Sequence, residues 1–363
     1  MWRTFGQEGA IERLSRSVAE GTPHHAYLFL GPEHVGKKTL AIDLACALNC
    51  EDAKPPCGTC RACTRILEEK HADIHTVAMD NSAASAEADA DDDSRKRRTR
   101  VATEQIADLQ HAASLPPYEG RWKVLLIEHA DHMSAEAANR LLKTLEEPPP
   151  HVVWMLLAES EERMLETVVS RCQRVDVRPL PVLDLERHLV EAHQVPDDRA
   201  RLIARISRGR TGWALTAITD GSLLTERASQ VESAIQLPAM TYTARFDRSR
   251  EMEAQFKRDR STVLETLEQW TMWWRDLLLV KSGSADSMVN ADYDSDIREQ
   301  AQRLTLEQIR DYIGRLSQAK QDLEANVLPR LVFDSLLYTM PRIARLAGEA
   351  APLTVVPSGE NGA

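Results

Sequence analysis

Residues 31–39 read GPEHVGKKT and lie between an apolar run, His25–Leu30, and a segment with apolar residues at helical spacing, Lys38–Leu48. A short apolar run that stops at a glycine is typical of a buried parallel strand, and the segment after it is predicted to be a helix. A strand, a glycine-containing loop and a helix in this order are the context of a phosphate-binding loop. The stretch therefore predicts an α/β nucleotide-binding type of fold.

The loop departs from a working ATPase at its magnesium position. A functional loop reads G-x-x-x-x-G-K-[ST]: backbone amides surround the phosphates, the lysine contacts them, and the hydroxyl binds magnesium. Gly31, Gly36 and Lys37 match this pattern, but Lys38 takes the place of the hydroxyl. An ammonium cannot bind a metal cation, and Thr39 lies about 100° further around the helix. We therefore expect no nucleotide at this degenerate loop.

The second predicted strand, Val124–Ile127, also ends unlike an ATPase. Such enzymes place an aspartate there for magnesium, followed by a glutamate that polarises water. Glu128 and His129 stand at these positions. Glu128 could hold a metal, but we favour a carboxylate at the sheet edge, and His129 is a poor general base beside a nucleotide. Two independent departures predict that this chain does not hydrolyse ATP.

Strands alternate with helices as far as Arg178–Pro179 and then cease. Val152–Leu157 is a third buried strand, and Ser134 is expected to cap a helix that ends at Glu147, before three prolines. This alternation predicts a parallel sheet covered by helices on both faces. Residues 183–226 are predicted to be helical with breaks at Gly209 and Gly212. Residues 245–345 are a longer helical block, whose apolar stripe is interpreted as a bundle core: Leu264, Leu267, Trp270, Trp273, Trp274, Leu277 and Leu278.

Four of the six cysteines form a metal-binding pattern: Cys50, Cys57, Cys60 and Cys63. Two overlapping C-x-x-C spacings with a fourth cysteine suit tetrahedral Zn²⁺, and four protein ligands leave no open position, so the metal would be structural. Unligated reduced cysteines or a redox pair are the alternatives. Cys46 lies one helical turn earlier in an apolar stripe and is predicted to be a core residue.

Composition and charge argue against several classes of protein. A chain of 363 residues can form two or three domains, and its net charge of -11 argues against a strongly basic nucleic-acid binder, although a local patch could remain. We find no secretory signal and no apolar run that would span a membrane, so we expect a cytoplasmic protein without a membrane partner. In 80–100, six acidic residues precede five basic ones. We interpret this segment as a solvated, disordered loop; a basic finger that touches DNA is the alternative.

Taken together, these motifs resemble the clamp-loader subunits of bacterial DNA polymerase III, members of the AAA+ superfamily. Besides the inserted cysteines, the matching stretches are HHAYLF (24–29), NRLLKTLEEPP (139–149), SRC (170–172) and NVLPRL (326–331). The resemblance covers nearly the whole chain, and LLKTLEEPP followed by SRC is highly specific in combination with the cysteines. It implies an AAA+ type parallel-sheet domain with a zinc-binding insert, then a small helical lid and an all-α collar. The expected boundaries are 1–178 for the α/β domain, with its zinc module at 50–63 and the loop 80–100, 179–235 for the lid, 245–345 for the collar and 346–363 for a flexible tail.

The resemblance also implies a role for Arg171. In this family each ATP lies at a subunit boundary, where one subunit supplies the loop and its neighbour supplies the arginine of Ser-Arg-Cys. Arg171, with Ser170 and Cys172 in the motif, would be an arginine finger that acts in trans, and a planar, permanently charged guanidinium suits that task. ATP and Mg²⁺ are then expected only at the neighbouring subunit's site. The implied partners are the delta and gamma/tau motor subunits and, through the complex, the sliding clamp and primed DNA; part of the collar stripe could pack on neighbouring subunits.

Further departures from the motor subunits of the family concern the residues that sense phosphate. Their lid carries an arginine that senses the terminal phosphate, and Trp213 takes that position here. Glu159 and Ser160 occupy the stretch of the polar sensor, where an acidic residue would be unfavourable near phosphates. We therefore predict a non-hydrolysing subunit that completes a neighbour's ATP site during clamp loading. The alternatives are a divergent ATPase motor subunit of the same complex and a zinc-bearing adaptor outside replication.

Overall fold

The computed structural model describes residues 1–78 and 101–343. The segment 80–100 and the tail 346–363, for which the sequence predicts disorder and flexibility, lie outside this range. The chain divides into two compact units, Met1–Thr219 and a second unit that begins at Asp220. The finer division at 178 and 235 stays a prediction. Within the described ranges, no helix combines the length and the apolar character needed to cross a lipid bilayer.

The first unit contains a five-stranded parallel sheet. Its strands are β1 (Ala26–Leu30), β2 (Ile74–Val77), β3 (Lys123–Ile127), β4 (Val152–Ala158) and β5 (Gln173–Asp176). They lie in the order β2-β3-β4-β1-β5, and Leu28 of β1 is opposite Leu156 of β4. Every residue of β1, β3 and β4 is buried, which explains why these strands read as continuous apolar runs. The predicted α/β fold with a parallel sheet is confirmed.

Helices cover both faces of this sheet. Along β1, Tyr27 and Phe29 belong to one apolar core, and Ala26 and Leu28 belong to the other, as the two-residue period of a strand requires. The first core includes residues of α1 (Glu8–Ala19), α2 (Lys37–Asn49) and α3 (Arg61–Leu67), and the second includes residues of α4 (Thr103–Ser114), α5 (Ala135–Glu146) and α6 (Glu166–Val169). Ser134 caps α5 as predicted, its Oγ accepting from the N–H of Ala137 at 3.1 Å.

Three further helices complete the first unit: α7 (Val182–His193), α8 (Asp197–Ile206) and α9 (Thr211–Thr219). They share a small core that includes Leu185, Leu189 and Ile203. Gly209 separates α8 from α9 with φ of 77°, and a Cβ there would lie 1.9 Å from the carbonyl oxygen of Leu180, so only glycine fits. The predicted break at Gly212 is wrong, since this glycine lies within the first turn of α9.

The second unit is helical throughout its described part. Its helices are α10 (Ser222–Gln236), α11 (Tyr242–Arg258), α12 (Arg260–Lys281), α13 (Asp294–Arg303), α14 (Leu306–Glu324) and α15 (Pro329–Tyr338). Trp270, Trp273 and Trp274 of α12 are fully buried, and the ring of Trp274 lies 4.4 Å from that of Tyr312 on α14. The interpretation of the α12 stripe as a bundle core is therefore confirmed.

One buried cation joins the start of α11 to the end of α15. Arg245 is 1% exposed, and its Nη1 donates to the carbonyl oxygens of Leu337 at 3.1 Å and Met340 at 2.6 Å. Its Nη2 donates to the carbonyl oxygen of Pro238 at 3.0 Å. These carbonyl groups are at or beyond helix ends, where intrahelical donors are missing. The side chain of Arg245 therefore supplies donors that the backbone cannot.

We expect Arg245→Ala to lower the free energy of unfolding by about 3 kcal/mol, because it leaves buried carbonyl oxygens without donors. Denaturant unfolding of the whole chain, followed by circular dichroism, would measure the change. Arg250→Ala on the same helix is the matched control, since Arg250 is exposed and forms a surface ion pair with Asp247. The control should change stability by no more than about 0.5 kcal/mol. Equal losses in the two variants would contradict the role given to Arg245.

Candidate functional site: a degenerate phosphate loop, a surface arginine and a cysteine cluster

The loop that follows β1 depends on two glycines at the positions of a phosphate-binding loop. A Cβ at Gly31 would lie 2.0 Å from the carbonyl oxygen of Val177, so the close approach of the two chain segments requires glycine. Gly36 has φ of 100° and is the N-cap of α2. The predicted order of strand, loop and helix is present.

Lys37 contacts the loop itself. Its Nζ donates to the carbonyl oxygens of Gly31 at 2.5 Å and Pro32 at 2.9 Å. Burial lowers the pKa of Lys37, while the neighbouring carboxylates Glu159, Asp131 and Glu33 act in the opposite direction. The lysine that would contact phosphates therefore lies in an environment that already contains three acidic groups.

Lys38 forms an ion pair with the residue at the end of β3. Its Nζ lies 2.9 Å from Oε1 of Glu128 and 3.8 Å from Oε1 of Glu69. The hydrogen bond with Glu128 raises the pKa of Lys38, which keeps the ammonium charged. Sequence analysis treated the departures at Lys38 and Glu128 as independent, whereas the two side chains contact each other. Together they place a cation and its carboxylate partner between the loop and the sheet edge.

An acidic group that sequence analysis missed lies beside the loop. Asp131 is 6% exposed, and its Oδ2 accepts from the backbone N–H of Glu159 at 3.2 Å. Among the described residues, its Oδ1 has no hydrogen-bond partner. The only sequence signal was its place three residues after Glu128. A buried acidic side chain near Lys37 disfavours a bound triphosphate, because like charges repel.

The first turn of α9 contacts the loop through a glycine. The backbone N–H of Gly212 donates to the carbonyl oxygen of His34 at 2.7 Å. A Cβ at Gly212 would lie 2.8 Å from the same oxygen, so the contact leaves no room for a side chain. Trp213, which the sequence places at the phosphate-sensing position, is half-buried one residue further along. Gly212 of α9 thus contacts the loop directly.

Arg171 lies at the surface just after α6. Its Nη2 donates to Oε1 of Glu146 at 2.8 Å and its Nη1 donates to the carbonyl oxygen of Thr167 at 2.9 Å. Its side chain is 35% exposed. Of the other motif residues, Ser170 donates its hydroxyl to the same carbonyl oxygen at 3.2 Å, and Cys172 is half-buried against the sheet core. Arg171 is the member of the motif that presents a charge to solvent.

Comparison with known proteins finds relatives among the subunits of DNA polymerase III. A family model described as "DNA polymerase III, delta subunit" matches residues 6–181. DNA polymerase III subunit delta' of Bacillus subtilis (strain 168) is 29% identical over 325 residues, which are 88% of this chain and 92% of that protein. DNA polymerase III subunit tau of Escherichia coli (strain K12) is 35% identical over 237 residues, which are 62% of this chain and 34% of that protein.

The chain is thus similar in sequence to subunits of DNA polymerase III.

The chain spans nearly the whole length of its Bacillus relative but only about a third of the tau subunit. Among solved structures, a DNA polymerase III gamma subunit-related protein from Thermotoga maritima has a TM-score of 0.44 at 16% identity, with 91% of this chain and 97% of that chain covered.

The cysteine cluster extends from the end of α2 into the first turn of α3. The Sγ atoms of Cys50, Cys57, Cys60 and Cys63 all lie within 4.8 Å of one another, and those of Cys57 and Cys63 are 4.0 Å apart. Bonds of about 2.3 Å to a tetrahedral metal would separate the sulfurs by about 3.8 Å. Cys46 is 2% exposed in the apolar core and outside the cluster, as predicted. The four-cysteine cluster could therefore bind a metal ion such as zinc.

Backbone N–H groups donate to the sulfurs of this cluster and stabilise the thiolate form of Cys57. Those of Thr59 and Cys60 donate to Sγ of Cys57 at 3.4 and 3.2 Å and lower its pKa to about 6. The N–H of Cys57 also donates to Sγ of Cys50 at 3.4 Å, and that of Cys63 donates to Sγ of Cys60 at 3.5 Å. Burial nevertheless raises the pKa of Cys50 and that of Cys63 while no metal is bound. Since a metal ligand must be the thiolate, these bonds fit a metal site.

We expect Cys60→Ser to lower both the bound metal and the melting temperature, because the cluster would lose one of four ligands. Elemental analysis and thermal unfolding of the purified whole chain would measure the two effects. Cys172→Ser is the control, since Cys172 lies outside the cluster, and it should keep the metal content of the original chain. A natively purified chain without bound metal, or an unchanged metal content in Cys60→Ser, would contradict the site.

Proposed function

We propose that this chain is a non-hydrolysing, delta-prime-type subunit of a clamp loader and that it completes a neighbouring subunit's ATP site with Arg171. One observation carries the proposal: the 2.9 Å ion pair between Lys38 and Glu128, at the position where an ATPase of this type would hold magnesium. The loop of this chain would thus be unable to hold a magnesium-bound nucleotide. The cation that the chain would offer to another subunit is the guanidinium of Arg171.

The ion pair opposes magnesium in two ways. Magnesium requires oxygen ligands in near-octahedral geometry, and Lys38 replaces the hydroxyl that would be one of them. The remaining candidate ligand, Glu128, is engaged by an ammonium, which would repel a divalent cation at hydrogen-bond distance. In addition, the acidic side chains of Asp131 and Glu33 lie near Lys37, where phosphates would lie.

Arg171 has the properties of a donated arginine. Its side chain is partly exposed, its charge is permanent, and its guanidinium can form bidentate hydrogen bonds with phosphate oxygens. In phosphoryl transfer, such a group stabilises the charge that develops on the transferred phosphoryl. The neighbouring subunit would hold ATP and Mg²⁺ and would hydrolyse the ATP, and Arg171 would contact the phosphates of that ATP.

The metal of the cysteine cluster is proposed to be Zn²⁺ in a structural role. Four thiolates are soft ligands that favour zinc over magnesium or calcium, and they fill all positions of a tetrahedral ion. Cys60 is also the N-cap of α3, its Sγ accepting from the N–H of Cys63. The metal would therefore hold the start of this short helix.

The partners follow from the family. Those proposed are the delta and gamma/tau motor subunits within the cytoplasmic DNA polymerase III holoenzyme, with the sliding clamp and primed DNA reached through the complex. The helices between 245 and 345 are proposed to form the collar that joins the subunits.

We expect Arg171→Ala to leave assembly intact but to lower ATP turnover at the completed site on the order of a thousandfold, because the transition state loses its added cation. The DNA-stimulated ATPase of the reconstituted complex, with assembly checked by gel filtration, would measure this loss. Arg174→Ala is the matched control: Arg174 lies three residues further along and forms surface ion pairs with Glu161 and Asp176. Unchanged turnover in a fully assembled Arg171→Ala complex would contradict the proposed function.

A further inference from the structure

We infer that Glu146 is a positioning residue for Arg171, holding the guanidinium in the orientation in which it meets the neighbouring subunit's phosphates. This inference rests on the proposed function. It concerns the last residue of α5, in the LLKTLEEPP stretch, for which sequence analysis gave no role beyond resemblance.

The guanidinium of Arg171 is held at two points. Nη2 donates to Oε1 of Glu146 at 2.8 Å, and Nη1 donates to the backbone carbonyl oxygen of Thr167 at 2.9 Å. A single bond would let the side chain rotate about it, whereas two bonds to separate helices define the plane of the guanidinium. The arginine is therefore oriented before any partner binds.

Both supports belong to ordered elements. Glu146 ends α5, whose Leu141 and Leu145 are almost fully buried in the sheet core. Thr167 lies in α6, where Val168 is fully buried in the same core. Glu146 itself is 52% exposed, so its carboxylate is not needed to fill the interior. Replacing Glu146 should therefore change the orientation of Arg171 without destabilising the fold.

The held guanidinium still has donors to offer. Arginine has five N–H groups in a rigid fork, and the two bonds use one from each terminal nitrogen. The other three can meet phosphate oxygens without breaking either bond. An arginine side chain loses conformational entropy when its rotamer is fixed. If it is already fixed in the free subunit, less conformational entropy has to be lost when the transition state forms.

We expect Glu146→Ala to lower kcat of the reconstituted DNA-stimulated ATPase by about threefold to tenfold with KM nearly unchanged, since orientation matters most in the transition state. Glu146→Gln keeps an acceptor oxygen and should retain part of the lost rate. Glu147→Ala is the matched control, because Glu147 is the exposed next residue of the same stretch. Melting temperature and assembly should be unchanged in all three variants.

The double variant Glu146→Ala with Arg171→Ala separates positioning from other effects. If Glu146 acts through Arg171, the double variant should turn over ATP at the rate of Arg171→Ala alone. A further loss in the double variant, a faster or unchanged Glu146→Ala, or an equal loss in Glu147→Ala would overturn the inference and leave the proposed function standing when Arg171→Ala is slow. An unchanged Arg171→Ala would instead remove the proposed function and the inference with it.

Discussion

The ion pair between Lys38 and Glu128 is the interaction on which the functional account depends. In a magnesium-dependent ATPase of this type, a hydroxyl and an acidic side chain at these two positions would face a divalent cation. Here an ammonium lies 2.9 Å from the carboxylate, so the charge that magnesium would bring is already supplied by the protein. Packing contacts determine the conformation of the loop. Gly31 lies against the segment that follows β5, and the carbonyl oxygen of His34 accepts a hydrogen bond from the N–H of Gly212 in α9. Its shape is required by packing even without a nucleotide.

The features that sequence predicted well are those set by local rules. The continuous apolar runs of β1, β3 and β4 follow from burial on both faces, and the cap at Ser134 needs only its neighbours. The cysteine spacing also predicted the cluster, because C-x-x-C turns bring sulfurs together locally.

The features that sequence did not give are contacts between distant segments. Lys38 and Glu128 could be recognised as two departures, but only the fold brings their side chains together. Gly212 has the composition of a helix breaker, and the prediction of a break failed because the close approach of His34 requires a glycine inside the helix. The contact of Arg171 with Glu146 joins two matched stretches that no periodicity connects. The sequence did not indicate that Asp131 is buried, because its burial depends on the folded loop around it.

The central claim is that the loop of this chain cannot hold a magnesium-bound nucleotide. Equilibrium binding of radiolabelled ATP to the isolated whole chain, measured with Mg²⁺ and with a chelator, tests it most directly, and the same samples can be followed for released phosphate. The account predicts that Mg²⁺ does not strengthen binding and that no phosphate is released. Tight binding that requires Mg²⁺, accompanied by turnover, would contradict it.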